Sequence, residues 1–403
     1  MAAANRELMR AINRFAILHA IRNKGTISRT DISKTTGLSQ ATVTSITGEL
    51  LKEDMLIEQQ NGKSIGGRRP VPLSLNPNGA YTVGVHLAIN QITVVLMDLQ
   101  ASIIHSGTKS LDINELDAES VIETLVEAVQ ACLWDADFSK NQISGVGIAI
   151  PGLVDSRKGY VRYIPNYHLT NIRLAEIIEK ELSVPAYIEN SANAMAIFEQ
   201  WFGKGRGVDN FFLITMENGI GMGMVVNGQL FRGSRGIAGE FGHTIVDENG
   251  PVCRCGKQGC LESICGNNAI IRDAIHAAKN GDWTPGDADD ITLEEIIAEA
   301  NQGNPALQEI YRRAGHTLGT GISNLQSILD SERIIISGKG VLAGELLFEP
   351  MREKLDKDIS FGDDAPTKLY ATEWKRTNYA RGAGALVLQE VYESPANRIV
   401  PII

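Results

Sequence analysis

The sequence contains no apolar segment long enough to be a signal peptide or to cross a membrane, no low-complexity tract and no short-period repeat. Charged residues recur every few positions through the first 25 residues. We therefore expect a cytoplasmic protein that makes no membrane contact. Cysteine is also scarce, with five residues among 403, and in a reducing compartment these are not expected to form disulfides.

The chain has the composition of an ordinary globular protein, with 43% hydrophobic and 21% charged residues. The length predicts two or three domains. The charge is unevenly distributed: residues 1–80 carry 11 basic and 6 acidic residues, net +5, whereas the remainder carries 27 basic and 42 acidic residues, net −15. A basic segment ahead of an acidic body suggests a head that binds nucleic acid. Chance variation of surface charge is the alternative interpretation.

Residues 1 to about 60 are predicted to form short helices, and their pattern is that of a helix-turn-helix. Ser28 followed by Asp31 predicts a capped helix, and Thr36-Gly37-Leu38 predicts the turn. Ser39 is expected to cap the next helix, whose apolar positions recur on one face. In this motif the helix after the turn enters the major groove. Its N-terminal polar side chains are therefore predicted to contact DNA, namely Ser39, Gln40, Thr42 and Thr44.

A wing is predicted after this helix. Two short strands, predicted at 56–60 and 71–75, are joined by a glycine-rich loop that carries Arg68 and Arg69. Arginines on such a loop suit phosphates or a narrow minor groove, so both are predicted to contact DNA. The alternative is a three-helix packing module with a solvated basic loop. We interpret residues 1–78 as a winged helix-turn-helix DNA-binding domain.

The remainder of the chain is predicted to be an α/β body. Strand and helix patterns alternate from the turn-rich Asn76-Pro77-Asn78-Gly79 to the end of the sequence. Two similar strand-rich openings, at 81–99 and 211–231, indicate two related lobes. We assign residues 79–194 and 379–403 to the first lobe and residues 195–378 to the second.

Four of the five cysteines lie within thirteen residues, and a histidine precedes them. One imidazole and three thiolates form a closed tetrahedral zinc set, which leaves no position for water and is therefore structural. Thiolates favour zinc over hard cations. The predicted ligands are His243, Cys253, Cys255 and Cys260. Cys132 is expected in the core, and Cys265 lies near the set without belonging to it. Four unrelated buried or reactive side chains are the alternative.

The segment 253–262, Cys-Arg-Cys-Gly-Lys-Gln-Gly-Cys-Leu-Glu, resembles the signature of the ROK family, which groups repressors, open reading frames and sugar kinases. Residues 240–243 and 188–194 fit the same family, and the similarity extends over essentially the whole chain from about residue 80. The head resembles that of the repressor branch, which includes the xylose and N-acetylglucosamine repressors. The resemblance implies a body of two actin/sugar-kinase-like lobes with a cleft between them.

The resemblance also implies a sugar site in that cleft. Asn166 matches an asparagine near the sugar, and Gly152 matches a backbone contact. Carboxylates and amides suit this purpose because each hydroxyl needs donor and acceptor partners. The groups matched to sugar hydroxyls are Asn190, Glu240, His243 and Glu262. One ring nitrogen of His243 is expected to bind zinc while the other faces the sugar. For the two glutamates alone, the alternative is surface carboxylates.

Departures from the kinase pattern of the family predict that catalysis is lost. The aspartate that acts as general base in family kinases is replaced by Ser191, and loss of a general base costs roughly 10²–10⁴-fold. The first phosphate loop, Asp-x-Gly-Gly-Thr in the kinases, reads His-Leu-Ala-Ile-Asn at 86–90. The second glycine loop, at 219–223, is retained, and Ser337 replaces the first glycine of the adenosine loop.

The sequence thus predicts a DNA-binding transcriptional regulator that is not an enzyme. It would be a repressor relieved by a sugar or sugar phosphate bound in an inactive kinase cleft. It would bind a pseudo-palindromic operator as a homodimer or tetramer, because two-fold symmetric heads favour symmetric half-sites. Two alternatives remain open, a sugar kinase with a DNA-binding head and a regulator controlled by a protein partner.

Overall fold

The computed structural model describes residues 2–59, 71–111, 117–164, 167, 169–287, 290–358 and 368–392. The chain divides into two units, the first comprising Met1–Phe198 and Thr377–Ile403 and the second comprising Glu199–Arg376. The predicted head and the first sheet of the body belong to the first unit. Within the described ranges, every helix is too short or too polar to cross a bilayer.

The head is built from helices and a small antiparallel sheet. Its elements are α1 (Ala2–Lys24), β1 (Thr26–Ser28), α2 (Arg29–Thr36), α3 (Gln40–Lys52), β2 (Leu56–Glu58) and β3 (Pro72–Leu75). The predicted caps are confirmed, since the hydroxyls of Ser28 and Ser39 accept the N–H groups of Asp31 and Thr42. The sheet order is β1-β3-β2. Strand β1, which the sequence did not predict, extends the two-stranded wing to three strands.

The elements of the first lobe are β4 (Tyr81–Leu87), β5 (Gln91–Met97), β6 (Ile103–Ser110), α4 (Ala118–Asp135), β7 (Ile143–Ile150), β8 (Leu153–Asp155), β9 (Tyr160–Ile164), β10 (Leu169–Ile172), α5 (Leu174–Leu182), β11 (Ala186–Asn190) and α6 (Ser191–Phe202). A five-stranded sheet with the order β11-β7-β4-β5-β6 forms the centre of this lobe. A separate three-stranded sheet, β10-β9-β8, follows β7.

The elements of the second unit are β12 (Phe211–Met216), β13 (Ile220–Val226), β14 (Gln229–Leu230), α7 (Leu261–Cys265), α8 (Asn267–Lys279), α9 (Leu293–Asn301), α10 (Pro305–Leu329), β15 (Arg333–Ser337), α11 (Glu345–Asp358) and β16 (Lys368–Ala371). The strands form another five-stranded sheet, with the order β14-β13-β12-β15-β16. In each lobe the first strand pairs antiparallel with the next strand and parallel with a later one. This shared arrangement is the one expected of two related lobes.

The last helix, α12 (Asn378–Tyr392), packs directly on the sheet of the first lobe. Glycines on the sheet make this approach possible. A Cβ at Gly84 or at Gly147 would lie 1.9 Å from the carbonyl oxygen of Ala380 or Ala383, respectively. Any larger side chain at either position would therefore push α12 away from the sheet.

Candidate functional site

The N-terminus of α3 presents a polar surface, as predicted for the helix that reads DNA. The Ser39 hydroxyl caps the helix and lies 2.8 Å from the hydroxyl of Thr42. Thr44 donates its hydroxyl proton to the carbonyl of Gln40 at 2.8 Å. The side chains of Gln40 and Thr44 are exposed, whereas Thr42 is half-buried. The amide of Gln40 is thus directed to solvent. The two arginines predicted to contact DNA from the wing, Arg68 and Arg69, lie outside the described residues.

Several basic residues of the head are engaged inside it. Arg14 pairs with Glu53 at 2.6 Å and so ties α1 to α3. Arg29 contacts both Glu58 of β2, at 3.0 Å, and the hydroxyl of Thr47 in α3, at 3.2 Å. These arginines orient the helices and the wing relative to one another, so the net positive charge of the head overstates the charge that is free to contact phosphates.

The structure brings the four predicted metal ligands together in the second unit. The ligand atoms of His243, Cys253, Cys255 and Cys260 all lie within 4.8 Å of one another. His243 Nδ1 is 3.5 Å from the sulfur of Cys253, and the sulfurs of Cys255 and Cys260 are 3.7 Å apart. The group could therefore hold a metal ion.

The chemistry of the thiols also favours a cation at this position. Burial raises the pKa of the Cys260 thiol to about 12, and the neighbouring sulfurs add to the effect. Burial also raises the pKa of Cys253, whereas the pKa of the exposed Cys255 is lowered. Thiolates are the metal-binding form, so a cation would favour ionisation of the two buried thiols. Cys132 is buried in the core as predicted, and Cys265 is buried without belonging to the cluster.

His243 faces two environments. Its Nδ1 points to the cysteine cluster, and its Nε2 lies 3.9 Å from a carboxylate oxygen of Glu240. The side chain of Glu240 is 47% exposed. Lys257 donates to the carbonyl oxygen of His243 at 2.6 Å and so closes the loop over the cluster. One ring nitrogen is therefore directed to the metal ligands and the other toward a predicted sugar contact.

Glu262 is not a surface carboxylate, because its side chain is only 8% exposed. It forms a bidentate pair with Arg254, with Nε–Oε1 at 2.6 Å and Nη2–Oε2 at 3.2 Å. The N–H of Ile220 also donates to Oε2 at 2.9 Å. A Cβ at Gly219 would lie 2.0 Å from the same oxygen. The glycine retained at 219 thus makes room for this pair. The sequence analysis did not identify Arg254, although this residue lies between two predicted metal ligands, Cys253 and Cys255.

In the first unit, Gly152 and Asn190 lie together, whereas Asn166 lies outside the described residues. The Nδ2 of Asn190 donates to the carbonyl of Gly152 at 3.0 Å, and its Oδ1 accepts the N–H of Ala192 at 2.9 Å. The hydroxyl of Ser191 is buried and has no hydrogen-bond partner among the described residues. A serine activated as a nucleophile or base would need such a partner.

Side chains near the strand ends that the sequence matches to the phosphate loops are engaged with other residues of the chain. In the first unit, His86 stacks on Tyr379 with ring centroids 4.6 Å apart. In the second unit, a carboxylate oxygen of Glu217 accepts the N–H of Lys339 at 3.0 Å and the indole N–H of Trp374 at 2.9 Å. Burial raises the pKa of Glu217. Sequence reasoning missed this residue, which places a carboxylate directly before the retained glycine loop.

Comparisons with known proteins agree with this geometry. A model of the ROK family matches residues 82–390, and a model of winged helix-turn-helix DNA-binding domains matches residues 10–57. The xylose repressor of Caldicellulosiruptor bescii is 32% identical over 397 residues, which cover 97% of this chain and 99% of that protein.

Solved structures show the same relationship. A ROK family transcriptional regulator, described as a homolog of the E. coli MLC protein, has a TM-score of 0.80 and 28% identity, covering 95% of this chain and 97% of that chain. A ROK family glucokinase from Streptomyces griseus, solved with glucose and AMPPNP, has a TM-score of 0.68 and 28% identity, covering 76% of this chain and 99% of that chain. The resemblance and the fold class predicted from the sequence are confirmed, and the chain belongs to the ROK family, with a winged helix-turn-helix DNA-binding domain at its head.

Proposed function

We propose that this protein is a transcriptional repressor that binds operator DNA through its head and releases it when a sugar binds to the body. The observation that carries the proposal is the exposed polar N-terminus of α3, with Gln40 and Thr44 facing solvent, in a chain whose body belongs to the ROK family. The relative named xylose repressor, which matches this chain over nearly its whole length, supports the same function.

The proposed DNA contacts are made by Ser39, Gln40, Thr42 and Thr44 on α3 and by Arg68 and Arg69 on the wing. Gln40 is suited to base edges because its amide can donate and accept at the same time. The arginines would contact phosphates and set the register of the protein on DNA. We further propose a homodimer or tetramer on a pseudo-palindromic operator, because two-fold symmetric assemblies place two recognition helices about one helical turn apart.

The proposed sugar ligands are Gly152, Asn166 and Asn190 of the first unit and Glu240, His243 and Glu262 of the second. Amide and carboxylate groups of this kind bind hydroxyls as donors and acceptors. A bound sugar would alter DNA binding by stabilising one state of the protein relative to another. A ligand shifts such an equilibrium only through its different affinity for the two states, and couplings of roughly 1–3 kcal/mol are typical.

We also propose that the ion held by His243 and the three cysteines is zinc. Tetrahedral zinc, with Zn–S bonds of about 2.3 Å and Zn–N bonds of about 2.0 Å, requires sulfur–sulfur distances of roughly 3.8 Å and sulfur–nitrogen distances of roughly 3.5 Å. The distances of 3.7 and 3.5 Å in the cluster fit these requirements. With four protein ligands the ion would stabilise the loop between Glu240 and Glu262 and take no part in a reaction.

The two alternative functions are less well supported. A kinase needs a general base and room for nucleotide phosphates, whereas Ser191 has no partner among the described residues and Glu217 places a carboxylate at the glycine loop. A regulator controlled by a protein would need a docking surface, whereas the relative named xylose repressor favours a sugar. A pull-down from cell extract, compared with sugar titration, distinguishes control by a protein from control by a small molecule.

The DNA-binding proposal is tested by selecting sequences from a random DNA library with the purified protein and measuring their affinity. Thr44→Ala and Gln40→Ala should change base preference at defined positions and weaken binding by roughly 1–3 kcal/mol. Thr317→Ala is a matched control, because that threonine also bonds a carbonyl of its own helix, that of Arg313 at 2.9 Å, and lies in the second unit. Failure to enrich any symmetric sequence would contradict the proposal.

A further inference from the structure

Arg381, near the start of α12, lies at the boundary of the first unit. The chain leaves this unit after Phe198 and re-enters it at Thr377. The guanidinium carbon of Arg381 lies 4.5 Å from the centroid of the Phe198 ring, which is within the range of a cation–π contact. The backbone N–H of Arg381 donates to the carbonyl oxygen of Thr377 at 2.9 Å. Arg381 therefore contacts both positions at which the chain passes between the units.

The guanidinium of Arg381 also reaches the β5–β6 turn, which comprises residues 98–102. Its Nη2 donates to the carbonyl oxygen of Ala101 at 3.3 Å. The turn is held in one conformation by Asp98, whose Oδ1 accepts the N–H of Gln100 at 2.9 Å and whose carbonyl oxygen accepts the N–H of Ala101 at 3.0 Å. The acceptor for Arg381 is therefore fixed within the turn, and the positions of α12 and of the turn depend on one another.

The β5–β6 turn contacts the head as well. The side-chain amide of Gln100 donates to the carbonyl oxygen of Leu75 in β3 at 3.1 Å, and the N–H of Leu99 donates to the carbonyl oxygen of Pro77 at 3.1 Å. Strand β3 is the central strand of the head's sheet. One short turn thus joins the head, on one side, to Arg381 and the two chain crossings on the other.

We infer that Arg381 is a positioning residue that transmits the effect of a bound sugar to the head. The inference rests on the proposed function, in which sugar weakens operator binding, and names a residue on which that response depends. Arg381 is neither a proposed sugar ligand nor a proposed DNA contact, so a change at this position should alter the response without altering either binding reaction. Substitutions within such a network of contacts can change the coupling between two sites by about 2- to 30-fold.

The test uses the full-length protein and its selected operator. Operator affinity is measured without sugar and with a saturating concentration of whichever of xylose, glucose and N-acetylglucosamine binds most tightly by calorimetry. The ratio of the two operator affinities is the sugar response, and it measures the coupling free energy between the sites. Sugar affinity in the absence of DNA and the free energy of unfolding are measured for the same variants.

Arg381→Met keeps the length of the side chain but removes its charge and its N–H donors. It should reduce the sugar response by about 2- to 30-fold. Operator affinity without sugar and sugar affinity without DNA should each stay within about twofold of the wild type, since neither ligand touches the residue. Arg381→Lys retains a cation beside Phe198 and should give an intermediate response. Arg162→Met is the matched control, because the Nη2 of Arg162 also donates at 3.3 Å, to Asp155, and its response should equal that of the wild type.

Gln100→Ala is the second variant, because it removes the contact of the same turn with the head. The side chain of Gln100 is exposed, so its loss should have little effect on folding. This variant should also reduce the sugar response. Combined with Arg381→Met, it should reduce the response no further than the stronger single variant, since contacts within one network are not additive. A merely structural role for Arg381 would lower the free energy of unfolding and leave the sugar response unchanged.

The outcomes separate the inference from the proposed function. If the wild type responds to sugar and Arg381→Met responds equally, or if the effects of the two substitutions simply multiply in the double variant, the inference is overturned and the repressor proposal stands. If Arg381→Met does not fold, Arg381→Lys decides, and a response equal to that of the wild type overturns the inference. If the wild type responds to none of the three sugars, the proposed sugar response itself fails, and the inference fails with it.

Discussion

The hydroxyl of Tyr392, at the end of α12, donates to the carbonyl oxygen of Leu99 at 2.7 Å. The N–H of Leu99 in turn donates to the carbonyl of Pro77 at 3.1 Å, in the turn that joins the head to the first lobe. The amide of Gln100 also donates to the carbonyl of Leu75 in the wing at 3.1 Å. Helix α12 therefore contacts the junction with the head at its C-terminal end, while its N-terminal end lies next to the boundary between the two units.

Tyr392→Phe should destabilise this junction. The change removes the donor and leaves a buried carbonyl of Leu99 unsatisfied, so we expect a loss of roughly 1–3 kcal/mol in the free energy of unfolding, measured with urea. Tyr160→Phe is the matched control, because its hydroxyl bonds Asn171 at 2.9 Å in an exposed position. That variant should lose less than about 0.5 kcal/mol. Equal losses in the two variants would show that the hydrogen bond to Leu99 contributes no more to the free energy of unfolding than the exposed one to Asn171.

Cys255→Ser should abolish metal binding even though Cys255 is the exposed member of the cluster. Three ligands would remain, and serine is a much poorer ligand for zinc than a thiolate. We expect about one equivalent of zinc per chain in the wild type, by elemental analysis, and none in the variant. Cys265→Ala, which alters a buried cysteine outside the cluster, should retain its zinc. A wild type without zinc, or a Cys265 variant that loses it, would contradict the ligand assignment.

Ser191→Asp should not create a sugar kinase. The variant restores a carboxylate at the position of the general base, but the first phosphate loop still lacks its acidic residue and glycines, and the carboxylate of Glu217 still lies next to the second. In an ATP-coupled assay over hexoses, pentoses and amino sugars, turnover should stay below roughly 1 s⁻¹ in both the wild type and the variant. Turnover in the usual enzyme range in either protein would support the kinase alternative.

His86 should make the first unit sensitive to acid. Burial lowers its pKa to about 4, below its ordinary value of about 6.5. Below pH 6.5 the unfolded chain therefore binds a proton that the folded chain does not, and stability falls as the pH falls toward 4. His86→Phe retains a ring for stacking on Tyr379 and removes this proton. Between pH 7 and pH 5 the wild type should lose about 2 kcal/mol more free energy of unfolding than the variant. Equal losses of free energy of unfolding in the wild type and the variant would show that His86 in the folded protein takes up a proton as readily as in the unfolded chain.

Much of the fold could be predicted from the sequence because local signals coincide with it. Ser28 and Ser39 cap helices at the expected positions, and the apolar runs at 81–87 and 143–150 are buried strands. Strand β1 could not be predicted, since three residues carry no periodic pattern and their pairing partner lies more than forty residues away. Short elements of this kind depend on tertiary contacts rather than on local preference.

The chemistry of the site was predictable only in part. The spacing of His243 and the cysteines predicted that their side chains lie together, because metals restrict residue type and spacing together. The pairing of Arg254 with Glu262 and the bond from Trp374 to Glu217 join residues whose types are common on protein surfaces. Nothing in their spacing marks them, so only the three-dimensional structure shows that these carboxylates are already engaged.

The central claim is tested most directly by the affinity of the protein for its selected operator, measured with and without a saturating concentration of the best sugar, for the wild type and for Glu240→Gln. Glu240 is the proposed sugar ligand whose exposed side chain can be changed with little effect on folding. We predict that sugar weakens operator binding by the wild type by about 5–150-fold and has a smaller effect on the variant. Unchanged or tighter operator binding by the wild type in the presence of sugar would contradict the account.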